Sequence, residues 1–141
     1  KFVKPLPFQT LTRQQVITSL YDEDETGVAH IRAADTANLM LIAPATANTI
    51  AKLANGMADD AMGCVALALN ADAPMLIAPA MNGKMWQHPA TQLNVGTLRD
   101  RGVEFIGPGE GMLSCGYEGI GRLWPVEGIA ERALELLSRA G

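Results

Sequence analysis

The side chains best suited to chemistry near neutral pH are His30, Cys115 and Asn82. His30 is one of two histidines, and an imidazole titrates close enough to neutrality to serve as a general base. A lone histidine can equally be structural, and the residues alone leave both roles open. Cys115 stands between Ser114 and Gly116 in a glycine-dense stretch, where a thiol can come close to a ligand as proton donor to carbon or as nucleophile. Asn82 places a buried-looking amide in the small-residue turn after Pro79. Other chemistries are poorly supplied. Neither a CxxC pair nor two histidines at ligand spacing is present, so no metal centre is expected. No Gly-x-Ser-x-Gly elbow points to a Ser-His-Asp hydrolase. The stretch Gly116-Tyr-Glu-Gly-Ile-Gly121 matches a dinucleotide fingerprint in glycine count only, with the wrong spacing and no preceding strand. Asp59 and Asp60 read as one helix N-cap and one solvated neighbour, and Cys64, in an apolar run, as a packed core thiol.

The elements that position these groups are announced by a repeat. Met-Leu-Ile-Ala-Pro-Ala occurs at Met40 to Ala45 and again at Met75 to Ala80. Four apolar residues are too few for a helix, and a proline cannot donate to a ladder, so each run predicts a short strand that leaves its sheet at the proline. Thr46 and Asn48 follow the first run and Asn82 the second, which predicts two strand ends forming two walls of one pocket. Ligands of open parallel α/β sheets lie at such carboxyl ends. A helix over Ala47 to Asn55, stopped by Gly56, then turns its amino end, with unpaired N–H groups, toward the strand terminus, a seat for an anion or an electron-rich ring edge.

Around this centre, Phe8 to Leu11 predicts one helical turn, Gln15 to Leu20 a strand, Tyr21 to Gly27 an acidic loop, and Val28 to Asn38 a helix bearing His30. Helices are expected at Ala61 to Leu69, at Ala90 to Arg101 with Leu93 and Leu98 inward, and at Val126 to Ser138. Val103 to Ile106 predicts a strand, and the glycines on either side of Cys115 predict flexible turns. Alternating strands and helices with short connections imply a three-layer parallel α/β fold. The 141 residues suit one domain. A net charge of −4 offers no basic face for nucleic acid, and no apolar run reaches the ~18 residues of a membrane span, so a cytoplasmic protein with reduced thiols is expected.

Three blocks, Ala43 to Asp60, Pro79 to Trp86 and Leu113 to Arg122, resemble the signature motifs of the flavin-containing cysteine decarboxylases, and the likeness runs from Phe2 to about Leu137. It implies a flavodoxin-like, Rossmann-like flavoprotein fold, FMN as cofactor, and a homo-oligomer built as a trimer or a multiple of trimers. By the same likeness Thr46, Ala47, Asn48, Thr49 and Ala80 line the flavin, and His30 is the active-site histidine. Asn82 holds the substrate carboxylate, Met112 and Ser114 touch substrate, and Cys115 is the proton donor. The reaction implied is decarboxylation of 4'-phosphopantothenoylcysteine to 4'-phosphopantetheine in coenzyme A biosynthesis. It proceeds by flavin oxidation to a thioaldehyde, loss of CO2 and reduction of the enethiol. Relatives that act on peptide C-termini stop at the enethiol and need no such thiol. A peptidyl-cysteine decarboxylase and a non-catalytic, flavoprotein-fold binding subunit are the alternatives. Relative to the family, the first strand, the phosphate-binding turn and the second strand are expected ahead of Lys1, Lys4 and Pro7 replace residues that are usually small and hydroxylated, and bifunctional members carry a phosphopantothenate–cysteine ligase domain.

Overall fold

Two copies of the same apolar run make the centre of the molecule. The computed structural model describes residues 3–20, 29–112 and 118–140. Strands Met40–Ala45 (β1) and Met75–Pro79 (β2) pair in parallel, with Met40 opposite Met75, Leu41 opposite Leu76 and Ile42 opposite Ile77. Glu104–Phe105 (β3) adds to the other side of β2, also in parallel, which makes β2 the middle strand. Parallel neighbours need helical crossovers. Ala47–Ala54 (α3) and Ala61–Ala68 (α4) connect β1 to β2, and Gly83–Gln87 (α5) and Pro89–Asp100 (α6) connect β2 to β3. Ahead of the sheet lie Pro5–Thr12 (α1) and Ala29–Thr36 (α2). After it come an antiparallel pair, Gly109–Met112 (β4) and Glu118–Arg122 (β5), and the closing helix Val126–Ala140 (α7).

Successive residues of a strand face opposite ways, so burial on both faces marks a covered middle layer. Ile42 and Ile77 join Ile50, Leu53 and Ala54 of α3, Trp86 of α5, and Val95 and Leu98 of α6 in one cluster. Leu76 and Ala78, directed oppositely along β2, are fully buried as well. The helices end where their sequences say they should. Thr46 and Asp60 cap α3 and α4, accepting from the N–H of Thr49 (3.2 Å) and Gly63 (2.7 Å), and Pro89 occupies the first turn of α6. Asp60 is also gripped by Lys52 (2.9 Å), which bonds Asp59 at 2.7 Å. The Gly63 N–H first, and Lys52 second, hold the Asp60 carboxyl below its usual range. On α7, Arg132 forks onto Glu104 of β3 through Nε (2.5 Å) and Nη2 (2.6 Å), and this pins the helix to the sheet.

Four sequence expectations are corrected. Residues 15–19 form no strand; Ile17 is exposed, and among the described residues the segment joins neither sheet. The single turn expected at Phe8 to Leu11 is a two-turn helix, because Pro5 starts it and its preset φ suits a first helical position. Leu93 is 70% exposed, since α6 turns Val95 and Leu98 inward instead. Gly109, Gly111, Gly119 and Gly121 are not in flexible turns but build β4 and β5, paired from Gly109 opposite Arg122 to Met112 opposite Glu118. The acidic stretch Tyr21 to Gly27 lies outside the described residues.

Candidate active site

The repeat predicts two strand ends side by side, and a single hydrogen bond joins them. The N–H of Ala80 donates to the carbonyl of Ala45 (3.0 Å), directly beyond the pairing of Ala45 with Pro79. Both strands therefore release their chains at one edge. From β1 the chain passes at once into α3. The carbonyl of Thr46 accepts from Ile50 (3.0 Å) and its hydroxyl from Thr49, while the N–H groups of Ala47 and Asn48 find no acceptor inside the helix. Thr46 and Asn48 are exposed, and Ala47 and Thr49 half-buried. The two threonine hydroxyls touch at 3.2 Å.

From β2 the chain makes a short turn, Ala80-Met81, and then Asn82 caps α5. Its Oδ1 accepts from the N–H of Lys84 (2.9 Å), and its carbonyl from Trp86 (3.0 Å). Asn82 is half-buried rather than the buried amide expected, because a side chain capping the helix it precedes must lie at the helix mouth. The cap engages only the acceptor side of the amide, which leaves its two N–H donors for a ligand.

His30 lies in the first turn of α2, a helix that packs on α4 and ends three residues ahead of β1. The side-chain amide of Asn70, just ahead of β2, donates to the carbonyl of Asp35 (3.1 Å), which fixes the carboxyl end of α2 at the amino ends of the strands. The first turn of α2 carries a half-buried His30. The structure gathers Thr46, Ala47, Asn48, Thr49, Ala80 and Asn82 along one edge, and among the described residues no hydrogen bond ties His30 to them. Met112 closes β4, while Ser114 and Cys115 lie outside the described residues. Cys64 is a free, half-buried thiol whose Sγ contacts the Ala58 carbonyl at 3.4 Å, less enclosed than the core thiol expected.

Sequence reasoning missed β5. The carbonyl of Gly121 accepts from the N–H of Met81 (2.9 Å), so the antiparallel pair is stitched to the turn that carries Asn82. The one available signal was the alternation Gly119-Ile120-Gly121, which in a strand points to close backbone approach.

Comparison with known proteins fits this geometry. The family model described as Flavoprotein matches residues 1–138. The bifunctional coenzyme A biosynthesis protein CoaBC of Bacillus subtilis is 51% identical over 134 residues, 94% of this chain and 32% of the relative. The probable phosphopantothenoylcysteine decarboxylase of Streptococcus mutans is 41% identical over 97% of this chain and 77% of its own length. Thus the chain spans about a third of the bifunctional relative and most of the smaller one. Among solved structures, the FMN-dependent cysteine decarboxylase SpaF superposes with a TM-score of 0.79 at 34% identity, covering 97% of this chain and 73% of its own. A PPC decarboxylase with a Cys-to-Ser substitution, complexed with pantothenoylaminoethenethiol, gives 0.74 at 32% identity, over 78% of this chain and 60% of its own.

Proposed function

The chain belongs to the Flavoprotein family, and from that premise we propose that it is an FMN-dependent decarboxylase of 4'-phosphopantothenoylcysteine, forming 4'-phosphopantetheine for coenzyme A. The observation that carries the reading is the Ala80 to Ala45 hydrogen bond, which puts the amino end of α3 and the Asn82 turn on one ledge. The ledge fits a flavin. Ala47 and Ala80 are small enough to admit a flat ring, and the unspent N–H groups of Ala47 and Asn48, with Thr46 and Thr49 beside them, suit its electron-rich edge.

Bound FMN supplies a two-electron sink that takes an electron pair from the cysteine end of the substrate and later gives it back. The protein's own residues orient the substrate and move protons. The Asn82 amide donates to the substrate carboxylate and holds the breaking C–C bond in place, and His30 accepts a proton from the substrate's cysteine portion. Backbone near Met112 and Ser114 receives the pantothenoyl arm, and Cys115 delivers the proton that reduction at carbon requires. A Cys115 thiol favours the complete, redox-neutral reaction over release of an enethiol. We assign the 141 residues to one flavoprotein domain, working in the cytoplasm as a trimer or multiple of trimers. Its relatives offer two arrangements for the full-length protein, joined to a phosphopantothenate–cysteine ligase as in the bifunctional one or standing alone as in the smaller one. Among the described residues no helix is long and apolar enough to cross a membrane.

The experiment is CO2 release from phosphopantothenoylcysteine by the FMN-loaded protein, with Cys115→Ser beside it. The wild type is expected to release CO2 and form phosphopantetheine, and the variant to release CO2 but stall at the unsaturated thiol. Normal product from Cys115→Ser removes Cys115 from its role. The likeness to the peptidyl-cysteine decarboxylase EpiD favours one second reading, action on a cysteine-terminated peptide, which preferential turnover of such a peptide would establish.

A further inference from the structure

The turn carrying Asn82 is not held by the parallel sheet alone. Ala80 is tied to β1, whereas Met81, one residue on, is tied to Gly121 of β5, so the two residues ahead of Asn82 are fixed by two different sheets. Two glycines make that approach possible. A Cβ on Gly121 would overlap the carbonyl oxygen of Met81 and lie 3.2 Å from the N–H nitrogen of Gly83. A Cβ on Gly83 would lie 2.5 Å from the carbonyl oxygen of Ile120. Both obstacles are backbone, so no side-chain rotation relieves them; the turn itself must move. Gly119 provides an internal contrast. It shares the positive φ of Gly121, +139° against +132°, yet a Cβ there meets nothing within 4 Å. Within one strand, Gly119 meets only the demand for unusual backbone conformation, whereas Gly121 meets that and the demand for close approach.

We propose that Gly83 and Gly121 are positioning residues for Asn82. Strand β5 acts as a backstop that sets the height of the 80–83 turn, and with it the direction in which the Asn82 amide points. The catalytic consequence rests on the reading that Asn82 binds the substrate carboxylate; the coupling itself does not. Lys84 supplies a reporter, because its N–H is bonded to Asn82 Oδ1. Any tilt of the turn weakens that bond.

Amide exchange in the whole FMN-loaded protein, followed by NMR at Met81 and Lys84, tests the coupling in Gly83→Ala, Gly121→Ala and Gly119→Ala. Exchange at both amides is expected to speed up about tenfold in Gly83→Ala and Gly121→Ala, as for a lost hydrogen bond, and to stay within about twofold in Gly119→Ala even where the melting temperature drops. Gly83→Ala decides the matter if Gly121→Ala does not fold. Alanine is the better helix former at the start of α5, so a purely local role for Gly83 predicts slower exchange. Unchanged or slower exchange in Gly83→Ala, or equal acceleration in Gly119→Ala, overturns the proposal. Turnover separates the two layers: with Asn82 on the substrate, KM rises about tenfold in Gly83→Ala while kcat changes less. Faster exchange with an unchanged KM upholds the coupling and releases Asn82 from substrate binding.

Discussion

The strands β1 and β2 start from the same hexapeptide and meet different fates. Leu41 is 43% exposed and its partner in register, Leu76, fully buried; Ala43 is exposed and Ala78 fully buried. The repeat forms two parallel strands that differ in detail, with the Ala43–Pro44 bond cis and a register shift between Ile42 and Ala45, and rank in the sheet goes with how much water each strand loses. As the middle strand, β2 pairs on both sides, whereas among the described residues β1 pairs on one side only. Their exits differ as well. The first releases into an eight-residue helix capped by a hydroxyl, the second into a five-residue helix capped by an amide with donors to spare.

The largest effect expected from this contrast is on stability. Leu76→Ala should cost about 3 kcal/mol, since it empties a fully buried site. In this chain Leu41→Ala should cost less than about 1 kcal/mol. Equal losses in urea melts of the two variants would mean that strand rank does not govern their burial.

Next come the exits. Asn82→Ala should lower kcat/KM on phosphopantothenoylcysteine about 100-fold, the scale of one hydrogen bond to a charged group. Thr46→Ala should cost about 1 kcal/mol of stability through its lost cap and also weaken FMN retention. Flavin titration and steady-state kinetics on both variants separate the roles. A swap, with FMN lost from Asn82→Ala and turnover from Thr46→Ala alone, would reverse the assignment of the two walls.

The smallest effect concerns how α7 is fastened. The Arg132 fork holds Glu104 below the ordinary carboxylate value of 4.5, and the Gly63 N–H and Lys52 do the same for Asp60 below 3.8. A depressed carboxyl contributes stability that is complete above its unfolded value and is lost as pH falls through the folded one. The melting temperature should therefore start to fall near pH 4.5 on account of Glu104, with Asp60 adding its loss below 3.8. Arg132→Ala should flatten the first part of the fall and cost little at pH 7, because the pair is partly exposed. A fall unchanged in Arg132→Ala would take Glu104 out of the account.

Much of this was legible in the sequence. The apolar repeat gives β1 and β2, Gly56 marks the end of α3, the Asp59-Asp60 pair announces α4 without saying which is the cap, and Pro89 marks the start of α6, because strand length, capping and proline geometry are local rules. The errors fall where a distant partner decides. Gln15 to Leu20 has strand-forming residues, yet among the described residues it joins neither sheet. Leu93 fits a helical stripe, yet the face of α6 turned inward is set by where α3 lies. The strands β4 and β5 were read as loose glycine turns, because a glycine required by a carbonyl from another segment, as at Gly121 against Met81, looks like any other glycine in a one-dimensional chain. At the site, the residue types were visible in the sequence. The shared edge, expected from the repeat, is held by the bond from Ala80 to Ala45, whereas the packing of α2 on α4 could not be read from the sequence.

The central claim is that the two strand ends hold a flavin that lends and recovers an electron pair during decarboxylation. Its most direct test is the visible spectrum of the FMN-loaded protein mixed anaerobically with phosphopantothenoylcysteine, read alongside CO2 release. A transient loss of the oxidised flavin band that recovers as CO2 and phosphopantetheine appear is the predicted result. A spectrum that never changes, with no CO2 formed, would contradict it.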